Sequence, residues 1–287
     1  MKPLYTQQIE LKKEYIKNKI DLFLKEDRAE NDLSTAYTIK NEQKVFAELI
    51  AEESLVFAGK KIIDYIFRNS NIIFYKKEGG VCKKGDIICQ IEAPAPSILS
   101  NERVMLNLIQ RLSGIASLTF EYTKQLKGAN IKILDTRKTT PGLRVFEKYA
   151  VSVGGGFNHR LDLFDGVMLK DNHLAIKTDI SNSLLKFKKK YPTKKVQLEI
   201  DFFQQLETIY SPNQKHIDAV LLDNMDRLET IKCSNYIKQT NKKCFIESSG
   251  GINLKNIKNY IGTGVHGVSI GALTHQATSK NIKLEIK

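Results

Sequence analysis

Short apolar runs that end in polar residues recur through the second half of the chain. From Ile131 onward they read IKILDTRK, DGVMLKDN, VQLEID, AVLLDN, CFIESSGG and HGVSIGALT. Helical patterns lie between them, at 178–190, 225–239 and 253–260. Strands that alternate with helices are typical of the parallel βαβ repeat. Because each run ends in a charged or glycine-rich segment, the pattern predicts an α/β barrel with its site at the carboxyl ends of the strands. A doubly wound open sheet is the alternative, although no GxGxxG follows any strand to support a dinucleotide-binding version.

The first half of the chain has a mixed pattern. Apolar positions three and four apart predict a helix over residues 7–28, followed by a turn-rich and then extended segment. A strand over KVFAELIAEE and a helix containing Ile62 and Phe67 come next. Short β-prone runs punctuated by glycines then predict tight turns in a small sheet. These elements indicate an α+β domain that ends near Ser97.

A long helix is predicted from Asn101 to Leu126, with Ser100 as its N-cap. Arg103 falls in the first turn of this predicted helix. There the helix dipole disfavours a cation, and anions bind at such helix starts. Arg103 therefore has two open interpretations, a ligand-facing arginine or a solvent-exposed one.

The net charge of the chain is +13, from 45 Lys and Arg against 32 Asp and Glu. Nucleic-acid binding requires basic residues on one face with aromatic residues between them. Diffuse lysine enrichment instead steers anionic substrates toward a basic pocket. The densest basic run, at 186–195, falls on a predicted helix and the loop after it, which is typical of a solvated face. The pattern therefore argues against DNA or RNA as a partner.

Composition and segment lengths favour a cytoplasmic globular protein. The first residues have no apolar core of the kind that a secretory signal needs. No apolar run approaches the roughly 20 residues of a membrane helix, so no membrane association is expected. The four cysteines, Cys82, Cys89, Cys233 and Cys244, have neither metal-ligand spacing nor a CxxC pair. Reduced thiols are the expectation.

One stretch, residues 135–173, concentrates cations beside flexible backbone. It reads DTRKTTPGLRVFEKYAVSVGGGFNHRLDLFDGVMLKDNH. Its basic residues are Arg137, Lys138, Arg144, Lys148, His159, Arg160, Lys170 and His173. They predict a site for a small, highly charged anion. The glycine run 154–156 within it is either a phosphate loop or the left-handed end of the preceding helix.

The ends of the later strands add groups of other kinds. Two acids among cations, Glu199 and Asp223, indicate metal binding, contact with sugar hydroxyls or stabilisation of positive charge. The last two strands end in Ser249, Gly250, Gly251 and Gly271, where glycines allow backbone N–H groups to approach a phosphate. Surface pairing of the acids, a plain turn at the glycines and a structural His159 stay open as alternatives. Together the groups fit a polyacid beside a phosphorylated sugar and a divalent metal, as in transfer from a phosphoribosyl donor.

Long motifs make the chain resemble the quinolinate phosphoribosyltransferase family, also called carboxylating nicotinate-nucleotide pyrophosphorylase. They are Glu26-Asp27 with Asp32, NERVMLNLIQRLSGIAS (101–117), the 135–173 stretch, LEID (198–201), LLDN (221–224), ESSGGI (247–252) and TGVHGVSIGALTH (263–275). The resemblance implies conversion of quinolinate and phosphoribosyl pyrophosphate to nicotinate mononucleotide, pyrophosphate and CO₂ in de novo NAD synthesis, with Mg²⁺. It also implies a homodimer with shared active sites.

The resemblance further implies an N-terminal α/β sandwich domain, taken as residues 1–113, and an incomplete α/β barrel at 114–274. The tail at 275–287 is available to pack on the first domain. The family's barrel has seven strands, whereas the apolar runs place six. Two rivals share features of the site: a paralogue associated with molybdenum transport, which tends to lose the KDNH element at 170–173, and a nicotinate-specific phosphoribosyltransferase.

Roles follow from the resemblance residue by residue. Arg137, His159 and Arg160 would hold the two carboxylates of quinolinate, with Arg103 reaching in from the neighbouring subunit. Lys138 and Lys170 would lie between quinolinate and the pyrophosphate of the donor, and Glu199 and Asp223 would contact the ribose hydroxyls and the metal. The 5′-phosphate would sit on Ser249, Gly250, Gly251 and Gly271, near His275. The chain departs from the family pattern at Asn31, Ser248 and His266, where Gly, Ala and Asp are usual.

Overall fold

The computed structural model describes residues 2–40, 43–176 and 179–287. The helices in these ranges are α1 (Lys13–Glu26), α2 (Leu33–Thr38), α3 (Lys60–Ile66), α4 (Ala95–Gln125), α5 (Arg144–Val153), α6 (Asp171–Ile176), α7 (Ile180–Lys190), α8 (Ser211–Asn213), α9 (Arg227–Thr240) and α10 (Ala272–His275). The strands are β1 (Lys44–Ala51), β2 (Leu55–Val56), β3 (Asn71–Phe74), β4 (Val81–Cys82), β5 (Ile87–Pro94), β6 (Lys132–Leu134), β7 (Gly166–Leu169), β8 (Lys195–Ile200), β9 (Ala219–Asp223), β10 (Phe245–Ser249), β11 (Gly267–Ser269) and β12 (Ile282–Ile286). None of these helices is both long and apolar enough to cross a membrane.

One compact unit, the N-terminal sheet unit, comprises Gln8–Phe120, Val145–Gly155 and Gln276–Lys287. Its antiparallel sheet has the order β12-β1-β5-β3. The alternation along β1 buries Ala47, Leu49 and Ala51, as expected of a strand with one face on a core. The last strand, β12, pairs with β1 over its whole length, and side chains of α4 bond the tail: Nη1 of Arg111 donates to the carbonyl of Ala277 (2.6 Å).

The other unit, the parallel sheet unit, comprises the segment up to Gln7, Glu121–Arg144 and Gly156–His275. Its described strands form a parallel sheet of order β6-β11-β10-β9-β8-β7, so all six predicted strands are present. Leu134, Ala219 and Phe245 form a buried cluster within it. The prediction of an α/β chain with a parallel sheet after a smaller α+β sheet region is confirmed.

A seventh strand segment is present but very short. Phe157 forms an isolated parallel bridge with Leu134 at the β6 edge of the sheet. The N–H of Phe157 donates to the carbonyl of Ile133 (2.8 Å), and the N–H of Asp135 donates to that of Phe157 (3.0 Å). Because glycines precede Phe157 and polar residues follow it, no apolar run marks this segment in the sequence.

The predicted start of the long helix is wrong. Helix α4 begins at Ala95, not Asn101, because Pro96 is tolerated in a first helical turn, where its missing N–H costs nothing. Ser100 is therefore not an N-cap; its hydroxyl donates to Oδ2 of Asp32 (3.2 Å). Arg103 lies well inside the helix, away from its positive end.

Other boundaries differ from the predictions as well. The helix predicted over 7–28 is shorter, and the segment expected to be extended contains α2, capped by Asp32, whose side chain accepts from the N–H of Thr35 (3.1 Å). The pattern at 253–260 forms only a 3₁₀ turn, Ile257–Tyr260, and residue 178 of the pattern at 178–190 lies outside the described residues. The compact units divide the chain after Phe120, within the continuous helix α4.

Candidate active site

The carboxyl ends of the parallel strands lie at one edge of the sheet. Asp223 at the end of β9 pairs with Ser249 at the end of β10. Ser269 of β11 pairs with Leu134 of β6, and Glu199 lies one residue before the end of β8. The predicted site residues that close these strands therefore share an edge, as strand-end loops of a parallel sheet require.

An ion pair joins the ends of β7 and β8. Nζ of Lys170 lies 2.6 Å from Oε2 of Glu199, which is only 9% exposed. Burial raises the pKa of Glu199, the Lys170 ammonium opposes that rise, and the nearby Asp223 carboxylate adds to it. Asp223 in turn accepts a hydrogen bond from Nδ2 of Asn224 (2.8 Å). The two acids thus form one negative region, with Lys170 as a counter-ion.

Arg137 and Arg160 place two positive charges close together. Arg160 is 8% exposed, and its Nη1 donates to the carbonyl of Gly166 (3.0 Å). Burial lowers the pKa of Arg160, and the Arg137 charge lowers it further. Nε of Arg137 is buried and has no hydrogen-bond acceptor in the described part of the chain. Two guanidinium groups that repel each other, one with an unsatisfied donor, indicate a place for an anion such as a carboxylate.

The loop that carries His159 is held by Asp135, a motif residue without an assigned role. Its Oδ1 accepts the backbone N–H of His159 (2.8 Å), and its Oδ2 accepts from Nδ2 of Asn158 (2.7 Å). His159 is buried, and its Nδ1 accepts the backbone N–H of Arg160 (2.7 Å). The sequence signal for Asp135 is its place as the first polar residue after the IKIL run.

Glycines line the ends of β10 and β11. Gly250 and Gly251 have φ values of +91° and +60°, which turn the chain sharply. Among the described residues, no hydrogen-bond acceptor pairs with the N–H groups of Gly250, Gly251 or Gly271. A Cβ at Gly271 would lie 2.9 Å from Cδ of Lys138 and 3.1 Å from Nε2 of His275. Open N–H groups beside a lysine and a histidine suit a phosphate.

Replacing Gly250 by alanine is expected to lower the free energy of unfolding by about 2–3 kcal/mol, because φ is positive and the new Cβ would lie 2.1 Å from Oδ1 of Asn224. Gly251→Ala is the matched control: φ is also positive, but no atom lies within 4 Å of the added Cβ, so a loss of about 1 kcal/mol is expected. Urea unfolding measures both. Equal losses would contradict the steric role of Gly250.

The KDNH element continues from Lys170 into helix α6. Nδ1 of His173 accepts the backbone N–H of Lys170 (3.3 Å), which ties the first turn of the helix to the strand end. Asn172 and His173 are both exposed. The element therefore shapes the backbone around Lys170.

Arg144, Lys148 and Arg103 are the other predicted cations. Nε of Arg144 donates to Oγ1 of Thr139 (2.9 Å), and Lys148 is fully buried in the N-terminal sheet unit. Arg103 is exposed and belongs to that same unit. Gly155, with φ of +86°, lies two residues beyond Val153, the last residue of α5, so the glycine run ends a helix. Of these residues, only Arg103 keeps a predicted substrate role, which stays a prediction.

The sequence matches two domains of a known family. Residues 32–113 match the quinolinate phosphoribosyl transferase N-terminal domain, and residues 115–285 match the quinolinate phosphoribosyl transferase C-terminal domain. The chain belongs to the quinolinate phosphoribosyl transferase family. The resemblance inferred from the motifs is thereby confirmed.

Individual members of the quinolinate phosphoribosyl transferase family are similar over nearly the whole chain. A probable nicotinate-nucleotide pyrophosphorylase (carboxylating) of Bacillus subtilis (strain 168) is 40% identical over 276 residues, which cover 94% of this chain and 93% of that protein. The nicotinate-nucleotide pyrophosphorylase structure from Francisella tularensis has a TM-score of 0.88 at 28% identity, covering 99% of this chain and 100% of that one. The one from Ehrlichia chaffeensis has a TM-score of 0.86 at 36% identity, with coverage of 97% and 100%.

Proposed function

We propose that this phosphoribosyltransferase uses the strand-end site to convert quinolinate and phosphoribosyl pyrophosphate into nicotinate mononucleotide, pyrophosphate and CO₂ in NAD biosynthesis. The carboxylating nicotinate-nucleotide pyrophosphorylases to which it is similar support this reaction. One observation carries the choice of site: the Arg137–Arg160 pair, with its unsatisfied buried donor, belongs to the same sheet unit as the acids and the glycine turns.

In this proposal Arg137 and Arg160 bind the carboxylates of the acid substrate, and His159 takes part by holding the backbone N–H of Arg160. Guanidinium forks bind carboxylates in a bidentate way, and two forks match two carboxylates. Burial of Arg160 strengthens its attraction for an anion, because little water competes. This number of cations favours a dicarboxylate over the single carboxylate of nicotinate.

The remaining residues hold the sugar donor. Lys138 and Lys170 lie between the acid and the pyrophosphate, and Glu199 and Asp223 face the ribose. The 5′-phosphate is bound by Ser249, Gly250, Gly251, Gly271 and His275. The open backbone N–H groups of Gly250, Gly251 and Gly271 and the adjacent Lys138 side chain supply donors that a phosphate needs.

The charges suit the bond changes of the reaction. The ring nitrogen of quinolinate attacks the anomeric carbon while pyrophosphate leaves, so positive charge develops on the ribose. Carboxylates fixed in a half-buried site stabilise that charge without reorganising. After transfer, the pyridinium nitrogen stabilises the carbanion that loss of the adjacent carboxylate leaves. No covalent nucleophile is required.

Mg²⁺ is the metal that we propose for the donor. Proteins usually hold it through one or two carboxylates together with substrate phosphates. Glu199 and Asp223 supply two neighbouring carboxylates, and the described residues contain no group of three or more metal-ligating side chains. This set fits Mg²⁺ shared with a pyrophosphate. The bound ion would supply positive charge to the leaving pyrophosphate.

Purified protein given quinolinate, phosphoribosyl pyrophosphate and Mg²⁺ is expected to release nicotinate mononucleotide and CO₂, measured by chromatography and by ¹⁴CO₂ from labelled quinolinate. Nicotinate in place of quinolinate is the control and should give little product. Absence of product from folded protein would reject the proposed reaction, and preference for nicotinate would reject the dicarboxylate assignment.

A homodimer with shared active sites is the proposed assembly, because the family resemblance places Arg103 at the neighbouring subunit's substrate. Mixing inactive Arg103→Ala with inactive Lys170→Ala protein is expected to restore part of the activity, since hybrid dimers would contain one intact site. Each variant incubated alone is the control. No recovery despite subunit exchange, shown by mass spectrometry, would reject the shared site.

The cytoplasm is the proposed compartment. Its reducing conditions suit the four cysteines, which are all buried free thiols.

A further inference from the structure

A chain of polar side chains runs through the interior of the parallel sheet unit. Oη of Tyr5 donates to Oε1 of Gln197 (3.2 Å), and Nε2 of Gln197 donates to Oε2 of Glu247 (2.8 Å). That same Oε2 lies 3.6 Å from Nε2 of His159. Gln197 and Glu247 are fully buried, so neither can touch a substrate at the strand ends.

His159 is the last member of this series of polar side chains, and it is held in one orientation and one tautomer. Its Nδ1 accepts the backbone N–H of Arg160 at 2.7 Å, so the ring proton is on Nε2, the atom that faces Glu247. The ring of Tyr5 packs against the imidazole, with centroids 4.9 Å apart. His159 thus hydrogen-bonds the backbone of Arg160 on one side and, on the other, faces a buried carboxyl at a distance longer than a hydrogen bond.

We propose that Glu247 is a positioning residue for recognition of the acid substrate. From the closed interior its carboxyl attracts the Nε2–H of His159 electrostatically, across 3.6 Å, and through Nδ1 of His159 it orients the peptide of Arg160. The effect on substrate rests on the proposed function of the site, whereas the effect on the tautomer of His159 does not.

A neutral acceptor of the same size should preserve this arrangement. Burial raises the pKa of Glu247 to about 7, against the hydrogen bonds from Ser269 and Gln197. A carboxyl that is protonated on its other oxygen still presents the partial negative charge of Oε2 to the Nε2–H of His159. Glu247→Gln keeps such an oxygen, while Glu247→Leu removes it and keeps an apolar side chain of similar volume.

The test combines imidazole ¹⁵N NMR with kinetics on wild type and both variants. The His159 signals are assigned by their loss in His159→Gln. Wild type and Glu247→Gln are expected to show the neutral Nε2–H tautomer. Glu247→Leu should show a mixture, with KM for quinolinate raised about tenfold and KM for phosphoribosyl pyrophosphate within about twofold of wild type. The matched control is Glu147→Leu. Glu147 is also a fully buried acid, and it is paired with Arg111 (2.9 Å) in the other unit. The Glu147→Leu variant should have lower thermal stability and unchanged His159 signals.

Two results would overturn the proposal. One is an unchanged tautomer, or equal changes in both KM values, in folded Glu247→Leu. The other result needs no variant. If wild-type His159 carries its proton on Nδ1 or is charged, the proposal is rejected even if Glu247→Leu does not fold. Wild type that shows the Nε2–H tautomer but makes no nicotinate mononucleotide would instead reject the proposed function alone.

Discussion

Replacing Lys170 by methionine is expected to lower kcat about a hundred- to a thousandfold. The Lys170 ammonium lies 2.6 Å from Oε2 of Glu199 and, in the proposed complex, also faces the pyrophosphate of the donor. Methionine keeps most of the side-chain volume and removes the charge, so both interactions are lost while packing is largely kept. Steady-state kinetics with both substrates measures the effect.

The same substitution should also move the pH profile. Burial already raises the pKa of Glu199, and Lys170 opposes that rise, so without Lys170 the pKa rises further. Activity that needs ionised Glu199 is present above this pKa and is lost as pH falls through it. The acid limb of the kcat profile should therefore shift to higher pH in Lys170→Met, and an unshifted limb would contradict the role of the ion pair.

Lys188→Met is the matched control for Lys170→Met. Nζ of Lys188 lies 2.5 Å from Oδ2 of Asp218, which directly precedes β9 at its amino end. This ion pair is comparable in length but lies at the edge of the sheet opposite the candidate site. Lys188→Met should reduce stability modestly and leave kcat and its pH profile near those of the wild type.

Replacing Arg137 by alanine is expected to weaken quinolinate binding about a hundredfold, or about 2–3 kcal/mol, and phosphoribosyl pyrophosphate binding only slightly. The buried Nε of Arg137 has no protein acceptor among the described residues, so this donor is open to a ligand carboxylate. Isothermal titration with each substrate measures the two affinities. Equal losses for both substrates would overturn the assignment of Arg137 to the acid.

Arg144→Ala is the control for Arg137→Ala, because both arginines come from the 135–173 stretch. Nε of Arg144 donates to Oγ1 of Thr139 (2.9 Å), and its Nη1 donates to the carbonyl of Leu161 (3.4 Å). Its guanidinium therefore supports protein structure. Its loss should lower thermal stability without separating the two substrate affinities.

The sequence was sufficient for the parallel sheet and for the strand-end grouping, because both follow from simple rules. Buried parallel strands read as apolar runs, and parallel strands bring their carboxyl ends to one edge. Once the six runs were placed, Glu199, Asp223 and Ser249 had to share that edge. The ion pair between Lys170 and Glu199 could not be predicted in the same way, because a spacing of residues along the chain does not fix a distance between side chains.

Other features were beyond pattern reading. The start of α4 depends on Pro96 being accepted in a first turn, which a polar candidate cap at Ser100 obscured. Phe157 pairs with β6 through its backbone, and the sequence around it has no apolar periodicity that would predict a strand. Glu247 occupies an interior position of β10, where Gln197 donates to its Oε2 and burial raises its pKa, which favours the neutral acid. Such support is a property of the tertiary structure.

The pairing of β12 with β1 fixes the order in which this enzyme can mature on the ribosome. Strand β1 is synthesised early, yet its partner Ile282–Ile286 emerges only after every strand of the parallel sheet has been made. Until then β1 has an unpaired edge, the kind of edge that invites association with other nascent chains. The first sheet to be started is therefore the last to be completed.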